Sequence, residues 1–385
     1  MATRLSGMTC WHRQSWIKPS CWLNSPLLTS LSSMLVSLRC LPWMKRAAWL
    51  AWTRLNSTKA TAKTHHRKMK MKILRFNARL PQPRISQSLT DPLGAATRLS
   101  KMDRVITRKY KQLRNRALGL FRTIPHSQTN AESSDLYFYD FSSARAATFM
   151  DELQALIDEI LLEGDDFGHG RMWANVFIGD AYQAGTQKAN SELSSLSPVY
   201  AEQRPIAAIL YSEPYLNRLQ LAYTQGYSDW RGLSDYSRQQ LASVIMEGIA
   251  RGANPRDVEA DIVKRVDVSH SYAKQIAQTE ITGTLRQANR REVIEAREEL
   301  GIETVMLWQS ALMRTTRQTH AARHGRFYTP EEIDEFYSEG ANRRNCHCSQ
   351  VPALVMDGKP VILEKTQERL DKQREAWQGA HKKAA

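Results

Sequence analysis

The sequence predicts a mainly α-helical protein, with a helical N-terminal and central region followed by a small α+β module. Two observations support this fold class. Apolar residues recur at the helical i, i+3, i+4 spacing between residues 144 and 300, and segments typical of β-strands follow after residue 300. With 385 residues, of which 42% are apolar, the chain is long enough for two or three domains with hydrophobic cores.

The net positive charge lies in the first quarter of the chain. The sequence holds 54 Lys and Arg against 39 Asp and Glu, for a net charge of +15. Residues 1–90 contain 16 of these basic residues and no acidic residue, whereas the rest of the chain is close to neutral. Solvated faces of folded domains normally mix both signs. We therefore expect residues 1–90 to be a disordered leader, or an extension created by a start codon placed upstream of Met69 or Met71.

Two other interpretations of this leader stay open. A basic arm without carboxylates could neutralise the phosphates of DNA. The apolar run at 23–38 could be a targeting or membrane segment, but Asn24, Pro26 and several Ser and Thr residues interrupt it. It falls short of the roughly 20 apolar residues that a membrane span needs, so we expect no such span.

Helices are predicted to fill the region from residue 91 to residue 301. Asn254 caps a helix that has Pro255 in its first turn, and Ser269 is predicted to cap the next helix. Gly226 is predicted to end a helix. The predicted segments are a basic stretch at 100–122, helices at 144–163 (ended by Gly164), 172–193 and 206–226, an apolar stripe from Leu241 to Ile249, and two helices between Asn254 and Gly301.

The segment after residue 301 mixes short strands and helices. Residues 304–308 form an apolar, β-branched run that is typical of a buried strand. Thr329-Pro330-Glu331-Glu332 is a capping box that begins a short helix, and Asp357-Gly358 predicts the two-residue turn of a hairpin. A last helix is predicted over 364–378, with a narrow apolar seam formed by Leu363, Leu370 and Trp377.

These patterns divide the chain into four parts. The parts are a basic leader at 1–90, a helical domain at 91–268, an α+β module at 269–363 and a C-terminal helix or tail at 364–385. The residues that could carry chemistry concentrate in the α+β module.

The densest cluster of such residues lies between residues 308 and 348. If 313–324 is helical, Arg317, His320 and His324 share one face of that helix. The thiols of Cys346 and Cys348 point the same way if their segment is extended. Two imidazoles and two thiolates could then form a structural zinc site, although the spacing is not that of a standard zinc finger.

The same residues allow two other interpretations. In the first, His320 is a hydrogen-bonded histidine that holds its loop, and both cysteines are small buried groups. In the second, His320 is a general acid or base and Arg314 or Arg317 binds a phosphate, as a metal-dependent nuclease would require. Residues 309–330 contain no carboxylate that could orient the imidazole. We therefore assign no catalytic residue and expect no enzyme.

Five short motifs occur in a fixed order around this cluster. Ile276-Ala277-Gln278-Thr279-Glu280 lies on a predicted helix, and Trp308-Gln309-Ser310-Ala311 ends a predicted strand. Arg314-x-x-Arg317-x-x-His320, a turn at Gly325 and Asn345-Cys346-His347-Cys348 follow. In this order the motifs resemble the Mu-F-like phage head morphogenesis (minor capsid) family, over roughly residues 240–355. The matching motif residues are Thr279, Glu280, Trp308, Ser310, Arg314, Arg317, His320, Gly325, Asn345, Cys346 and Cys348.

The resemblance implies a structural role. It implies a minor head protein that acts in head morphogenesis near the portal and could accompany the DNA during ejection. The implied partners are the phage portal, head and scaffold proteins and phage DNA, without a small-molecule substrate. The implied location is the host cytoplasm during assembly and then the virion head.

The resemblance also bears on zinc. Family members with four cysteines resemble zinc-binding proteins, but here Arg317 occupies the first of the four positions and His320 the second. Only His320, Cys346 and Cys348 therefore align as ligands, and His324 would have to supply the fourth.

Overall fold

The computed structural model describes residues 80–129, 136–163 and 172–382. The described part is mainly helical, and a small sheet follows residue 300, which confirms the predicted fold class. The leader up to residue 79 and the predicted helix end at Gly164 lie outside the described residues. The helices are α1 (Ala96–Arg122), α2 (Ser143–Leu161), α3 (Asn175–Leu196), α4 (Pro198–Gln203), α5 (Ile206–Leu210), α6 (Glu213–Ala250), α7 (Pro255–Leu300), α8 (Gln318–Ala322), α9 (Pro330–Ser338) and α10 (Glu364–Lys382). The strands are β1 (His126–Gln128), β2 (Tyr137–Tyr139), β3 (Thr304–Gln309), β4 (Phe327–Tyr328), β5 (Ser349–Met356) and β6 (Lys359–Pro360).

Helices α1, α2, α3, α6 and α7 pack around one apolar core. Each presents a buried stripe at helical spacing, such as Leu153, Ile157 and Ile160 of α2. The predicted helix at 144–163 corresponds to α2, whose N-terminus is capped by Ser142. The predicted cap at Asn254 and the predicted end at Gly301 are also confirmed, because the Asn254 side chain accepts from the Arg256 N–H and Gly301 adopts φ 62°.

Helix α7 is continuous, so the predicted helix start at Ser269 is wrong. Ser269 is buried in the middle of α7, 2% exposed, and its hydroxyl lies 2.8 Å from Tyr110 Oη and 2.5 Å from Ser237 Oγ. The hydroxyl thus bonds between helices instead of capping one. The predicted division between residues 268 and 269 falls inside this helix, and residues 79–385 form one compact unit.

The predicted helix end at Gly226 is also wrong, since Gly226 lies inside α6. A Cβ at this position would come within 2.3 Å of Ile178 Cδ1 on α3. Gly226 therefore lets the end of the Ile178 side chain pack closely against α6. The chain breaks earlier instead, at Ser212, whose side chain caps α6.

The C-terminal module is built on a four-stranded antiparallel sheet with the order β4-β3-β5-β6. Strand β3 is central: Met306 pairs with Tyr328 of β4 and with Pro352 of β5. The predicted capping box of Thr329 begins α9. Asp357 and Gly358 form the predicted turn between β5 and β6 with positive φ values of 50° and 73°.

The module shares a second apolar core with the C-terminal end of α7. Val293 and Ala296 of α7 join Met306 and Trp308 of β3, and the core continues to α3 and α9. Residues 80–90, which we included in the leader, contact this module. The Ser86 N–H donates to Gln309 Oε1 at 3.0 Å, and Gln82 Oε1 accepts from the Leu363 N–H at 2.7 Å.

Helix α10 packs against the module through part of its predicted seam. Leu370 and Trp377 are buried, and Trp377 Nε1 donates to the Met313 carbonyl at 2.9 Å, whereas Leu363 is 58% exposed. Among the described residues, no helix combines the length and the apolar composition that crossing a membrane requires.

Candidate functional site

His320, Cys346 and Cys348 converge in the core of the C-terminal module. His320 Nδ1 lies 3.4 Å from Cys346 Sγ and 3.6 Å from Cys348 Sγ. The three side chains are 1%, 3% and 2% exposed, respectively. We call them the His-Cys-Cys cluster. The prediction that both thiols of the Cys-x-Cys segment point the same way is confirmed.

The segment that carries the cysteines is held by α7. Asn345, at φ 50°, donates its N–H to Thr279 Oγ1 at 2.9 Å, so the chain turns immediately before Cys346. The buried Arg286 then donates Nη1 to the carbonyl of Cys346 at 3.0 Å and to that of Cys348 at 3.4 Å. Two residues of α7 thus fix the direction of both thiols.

The histidine is held from the opposite side, by the short helix α8. Arg317 precedes this helix in an extended conformation, and its Nη2 donates to the Arg344 carbonyl at 2.8 Å. The predicted helix over 313–324 is therefore reduced to Gln318–Ala322. Arg314 is exposed in the turn before it. Because Arg317 lies outside the helix, the predicted common face for Arg317, His320 and His324 does not form.

Aromatic rings enclose the His-Cys-Cys cluster. Trp308 stacks on Tyr337 with ring centroids 5.4 Å apart and meets His320 edge-on at 6.1 Å. Phe336 meets His320 edge-on at 5.0 Å. Trp308 Nε1 donates to Ser310 Oγ at 3.1 Å, and that hydroxyl donates to the His320 carbonyl at 2.5 Å. The Trp-x-Ser motif therefore locks the histidine backbone to β3.

Gly325 completes the turn that returns the chain to β3. Its N–H donates to the Trp308 carbonyl at 2.9 Å, and its φ is 77°. A Cβ at this position would lie 2.9 Å from the Cβ of Leu370 on α10. Both the positive φ and the close approach require glycine here.

His324 lies outside the His-Cys-Cys cluster, so its prediction as the fourth ligand finds no support in the geometry. Its Nδ1 accepts from the Ser310 N–H at 3.0 Å, which leaves the proton on Nε2 to be donated to Gln373 Oε1 at 3.1 Å. Burial lowers the pKa of His324, which favours this neutral form. Both ring nitrogens are thus occupied by hydrogen bonds that join β3 to α10.

The two thiols differ in their electrostatic surroundings. A hydrogen bond from Cys348 holds the pKa of Cys346 well below its usual range, and Arg286 and His320 lower it further. The same hydrogen bond, together with burial, raises the pKa of Cys348. The pair therefore favours one thiolate, at Cys346, and one thiol. Tyr337 Oη is 3.5 Å from Cys346 Sγ, and burial raises its pKa, so the phenol keeps its proton to donate.

The donor set of the His-Cys-Cys cluster fits three corners of a zinc tetrahedron. Zn–S bonds of about 2.3 Å and Zn–N bonds of about 2.0 Å place nitrogen and sulfur ligands about 3.5 Å apart. The two observed N···S distances are 3.4 and 3.6 Å, and all three ligand atoms lie within 4.8 Å of one another. Among the His, Cys, Asp and Glu residues that the structure describes, no fourth ligand joins this group. His320 Nε2 is buried without a hydrogen-bond partner, although the second nitrogen of a ligating histidine usually has one.

Glu280, the acidic residue of the first motif, lies in a cleft between α7 and the segment that follows α9. Burial, together with a hydrogen bond to Asp229 of α6 and repulsion from its charge, raises the pKa of Glu280 to about 9. Arg343 Nη2 lies 3.3 Å from Asp229 Oδ2. Two adjoining cavities of about 260 and 380 Å³ flank these residues and share Thr279 and Arg343 in their walls. The hydrogen bond between Glu280 and Asp229 therefore links α6 to α7.

Sequence reasoning missed Arg286 and Tyr337. Arg286 follows Thr279 by seven residues and so lies on the same face of α7 as the motif, which is a signal that could have identified it. Its guanidinium stacks over the Tyr337 ring at 4.6 Å. Nothing in the sequence around Tyr337 indicates that it contacts Cys346, because that contact depends on how α9 packs.

Residues 239–351 match the family described as Phage Mu protein F like protein. This segment is Mu F-like. The match confirms the resemblance drawn from the five motifs, all of which lie inside the segment. This family suggests a role in phage head morphogenesis. No curated protein and no solved structure shows a significant similarity to the chain.

Proposed function

We propose that this Mu F-like protein is a minor head protein of a phage or prophage, which acts near the portal during head assembly. It is made in the host cytoplasm, contacts portal, head or scaffold proteins, and stays in the virion head, where it could accompany the DNA during ejection. The family match supports the role in the head.

The observation that carries this proposal is the burial of Trp308 and the His-Cys-Cys cluster, which belong to the family motifs. Trp308, His320 and both cysteines are at most 3% exposed and are enclosed by aromatic rings. Motif residues that form a closed core stabilise a fold, whereas residues that act on a substrate must be reachable from solvent. The motif therefore supports a protein that works through its shape and surface.

The direct test is the composition of purified particles. Particles from the encoding phage, with and without an in-frame deletion of the gene, are analysed by quantitative mass spectrometry. We expect the protein in a few copies per particle and a loss of infectious particles in the deletion strain. Cross-links from the protein to the portal would support the location. Particles that lack the protein and are unaffected by the deletion would contradict the proposal.

A matched pair of variants links this role to the motif. Trp308→Ala removes a fully buried ring and should fail to restore infectious particles in the deletion strain. Phe138→Ala removes a ring that is 67% exposed, and it should restore them. Equal complementation by both variants would show that the motif core is dispensable.

We also propose that the His-Cys-Cys cluster binds one structural zinc ion through His320, Cys346 and Cys348. The metal would tie α8 to the strand segment before β5. The N···S distances support this proposal, as described above. Metal analysis of the purified full chain should give about one zinc per chain, lost in Cys348→Ser and kept in His324→Ala. A wild-type value near zero, measured after purification without chelators, would leave a metal-free cluster in which His320 and the cysteines only hydrogen-bond.

The metal-dependent nuclease and the DNA-binding leader remain alternative predictions. For the nuclease, burial of the His-Cys-Cys cluster is unfavourable, because a phosphodiester would need access to His320. Nicking of DNA by the purified protein, abolished by His320→Ala, would favour it over the structural role. The leader up to residue 79 lies outside the described residues, and a salt-dependent DNA shift that is lost on deletion of 1–90 would support its role.

A further inference from the structure

Helix α1 presents a row of cations to solvent. The helix contains nine Lys and Arg and a single acidic residue, Asp103. Its buried ridge runs through Met102, Ile106, Leu113 and Ala117, and the opposite face carries Lys101, Arg104, Arg108 and Lys111. These four residues follow the 3, 4, 3 spacing of one helical face and are all exposed. We call them the α1 cationic row.

Several carboxylates pair with residues that flank the row on α1 or on neighbouring helices. Asp103 bonds to Lys274 of α7, Glu159 of α2 bonds to Arg116, and Glu259 of α7 bonds to Arg122. Within the described part of the chain, Lys101, Arg104 and Lys111 form no ion pair with a carboxylate. Their charges are therefore available to a partner.

The dimensions of the row match a nucleic-acid backbone. Lys101 and Lys111 are ten residues apart, which corresponds to about 15 Å along the helix. One strand of a DNA duplex carries a phosphate every 3.4 Å of axis, so about 15 Å covers roughly four phosphates. Over this length, Lys101, Arg104 and Lys111 supply three cations that have no carboxylate partner in the described part of the chain, against roughly four phosphates.

The chemistry of the face favours DNA over an acidic protein. Protein interfaces depend on buried aromatic or apolar anchors. On this face of α1 the cations are flanked by Thr97 and Asn115, which are also polar. A purely polar, cationic face is suited to phosphates, which are bound mainly through charge and hydrogen bonds.

We propose that the α1 cationic row binds the phosphate backbone of duplex DNA without sequence preference. The proposal gives the head protein a DNA contact that is separate from the basic leader. It rests on the proposed function for its biological setting, but its test in solution does not depend on head assembly.

The test measures the salt dependence of DNA binding by the full-length protein. Fluorescence anisotropy with a labelled 30-base-pair duplex of arbitrary sequence gives the affinity at several salt concentrations. Each phosphate contact contributes about 0.9 to the slope of log affinity against log salt. Combined Lys101→Gln, Arg104→Gln and Lys111→Gln should therefore lower the slope by about 2.7, three times that contribution. The leader is present in both proteins, so its share cancels in the difference.

A control removes the same charge elsewhere. Combined Lys365→Gln, Arg369→Gln and Lys372→Gln neutralises three exposed cations of α10 and should leave the slope unchanged. Gln has nearly the helix propensity of Lys and Arg, so we expect both triple variants to fold, as thermal unfolding can verify. If the α1 triple variant unfolds, each single substitution should still lower the slope by about 0.9.

Three results would overturn the proposal. The first is no DNA binding by the wild type, and the second is an unchanged slope in the α1 variants. The third is an equal decrease of the slope in the α10 control, which would mean that only the net charge of the protein matters. An unchanged slope combined with loss of the α1 variant from purified heads would assign the row to an acidic head protein instead. Absence of the wild-type protein from heads would contradict the proposed function but would leave the DNA result standing.

Discussion

Gly185 lies at a close approach of α3 to α7, which makes it a sensitive test of how these two helices pack. A Cβ at residue 185 would lie 2.5 Å from the Leu285 carbonyl oxygen and 2.8 Å from the Cβ of Ala288. Ordinary van der Waals contacts begin at 3.4 Å. Since the nearest atom belongs to the backbone of α7, it cannot turn aside as a side chain could. Gly185→Ala must therefore move the two helices apart.

The size of the effect follows from two opposing contributions. Overpacking a well-packed interface costs about 1–3 kcal/mol, whereas replacing a mid-helix Gly by Ala contributes about 0.5–1 kcal/mol of stability. Because the required movement approaches 1 Å at a backbone atom, we expect overpacking to dominate, for a net loss of about 1–2 kcal/mol. Gly232 of α6 is the matched control, since a Cβ there meets no atom within 4 Å. Gly232→Ala should stabilise the protein by about 0.5–1 kcal/mol.

The two variants are compared by urea unfolding followed by far-UV circular dichroism. The reasoning predicts opposite signs for the same chemical change in two helices. Leu285 is adjacent to Arg286, which holds the carbonyls of Cys346 and Cys348. Gly185→Ala should therefore also speed the modification of these two cysteines by a thiol reagent, measured peptide by peptide. Stabilisation of similar size in both variants would refute the close approach of α3 and α7.

Three further predictions concern the site. In the folded chain the pKa of Glu280 is about 9, whereas in the unfolded chain it is near 4.5, so the free energy of unfolding should fall by up to about 1.4 kcal/mol per pH unit as pH rises between these values. Urea titrations at several pH values should show this fall in the wild type and a flatter profile in Glu280→Gln. Parallel profiles for the two proteins would contradict the buried pair of Glu280 and Asp229. Trp308→Ala should lower the free energy of unfolding by about 3–5 kcal/mol in chemical denaturation, and Trp308→Phe should lower it clearly less. Equal decreases in the two variants would mean that ring contacts do not stabilise the core. Arg286→Met leaves the carbonyls of Cys346 and Cys348 without their donor and should lower the free energy of unfolding by about 2 kcal/mol or more. If Arg286→Lys is as stable as the wild type in the same assay, the guanidinium group is not needed.

Local sequence signals correctly predicted those helix ends that are stabilised by interactions between residues close together in sequence. The Asn254 cap, the Thr329 capping box and the left-handed Gly301 were all confirmed. Each depends on backbone groups of the same turn, so a short stretch of sequence contains both partners. The turn at Asp357-Gly358 was predicted correctly for the same reason.

Ser269 and Gly226 show where local signals fail. A serine can cap a helix or form hydrogen bonds to neighbouring helices. A glycine can end a helix or allow a neighbouring helix to pack closely against it. In this fold Ser269 bonds to Tyr110 and Ser237, and Gly226 admits Ile178. All three partners are at least 32 residues away in sequence, so the choice depended on packing that spacing rules do not contain.

The sequence by itself determined the mainly helical class, the strand-rich end of the chain and the order of the Mu F-like motifs. The first two properties follow from apolar periodicity, caps and β-branched segments. Only the tertiary structure decided that His320 lies against Cys346 and Cys348, that His324 bonds to Ser310 and Gln373, and that Arg286 of a distant helix holds the cysteine segment. A buried polar atom must find a partner wherever the fold brings one, and that partner is set by how helices and strands pack rather than by neighbours in sequence.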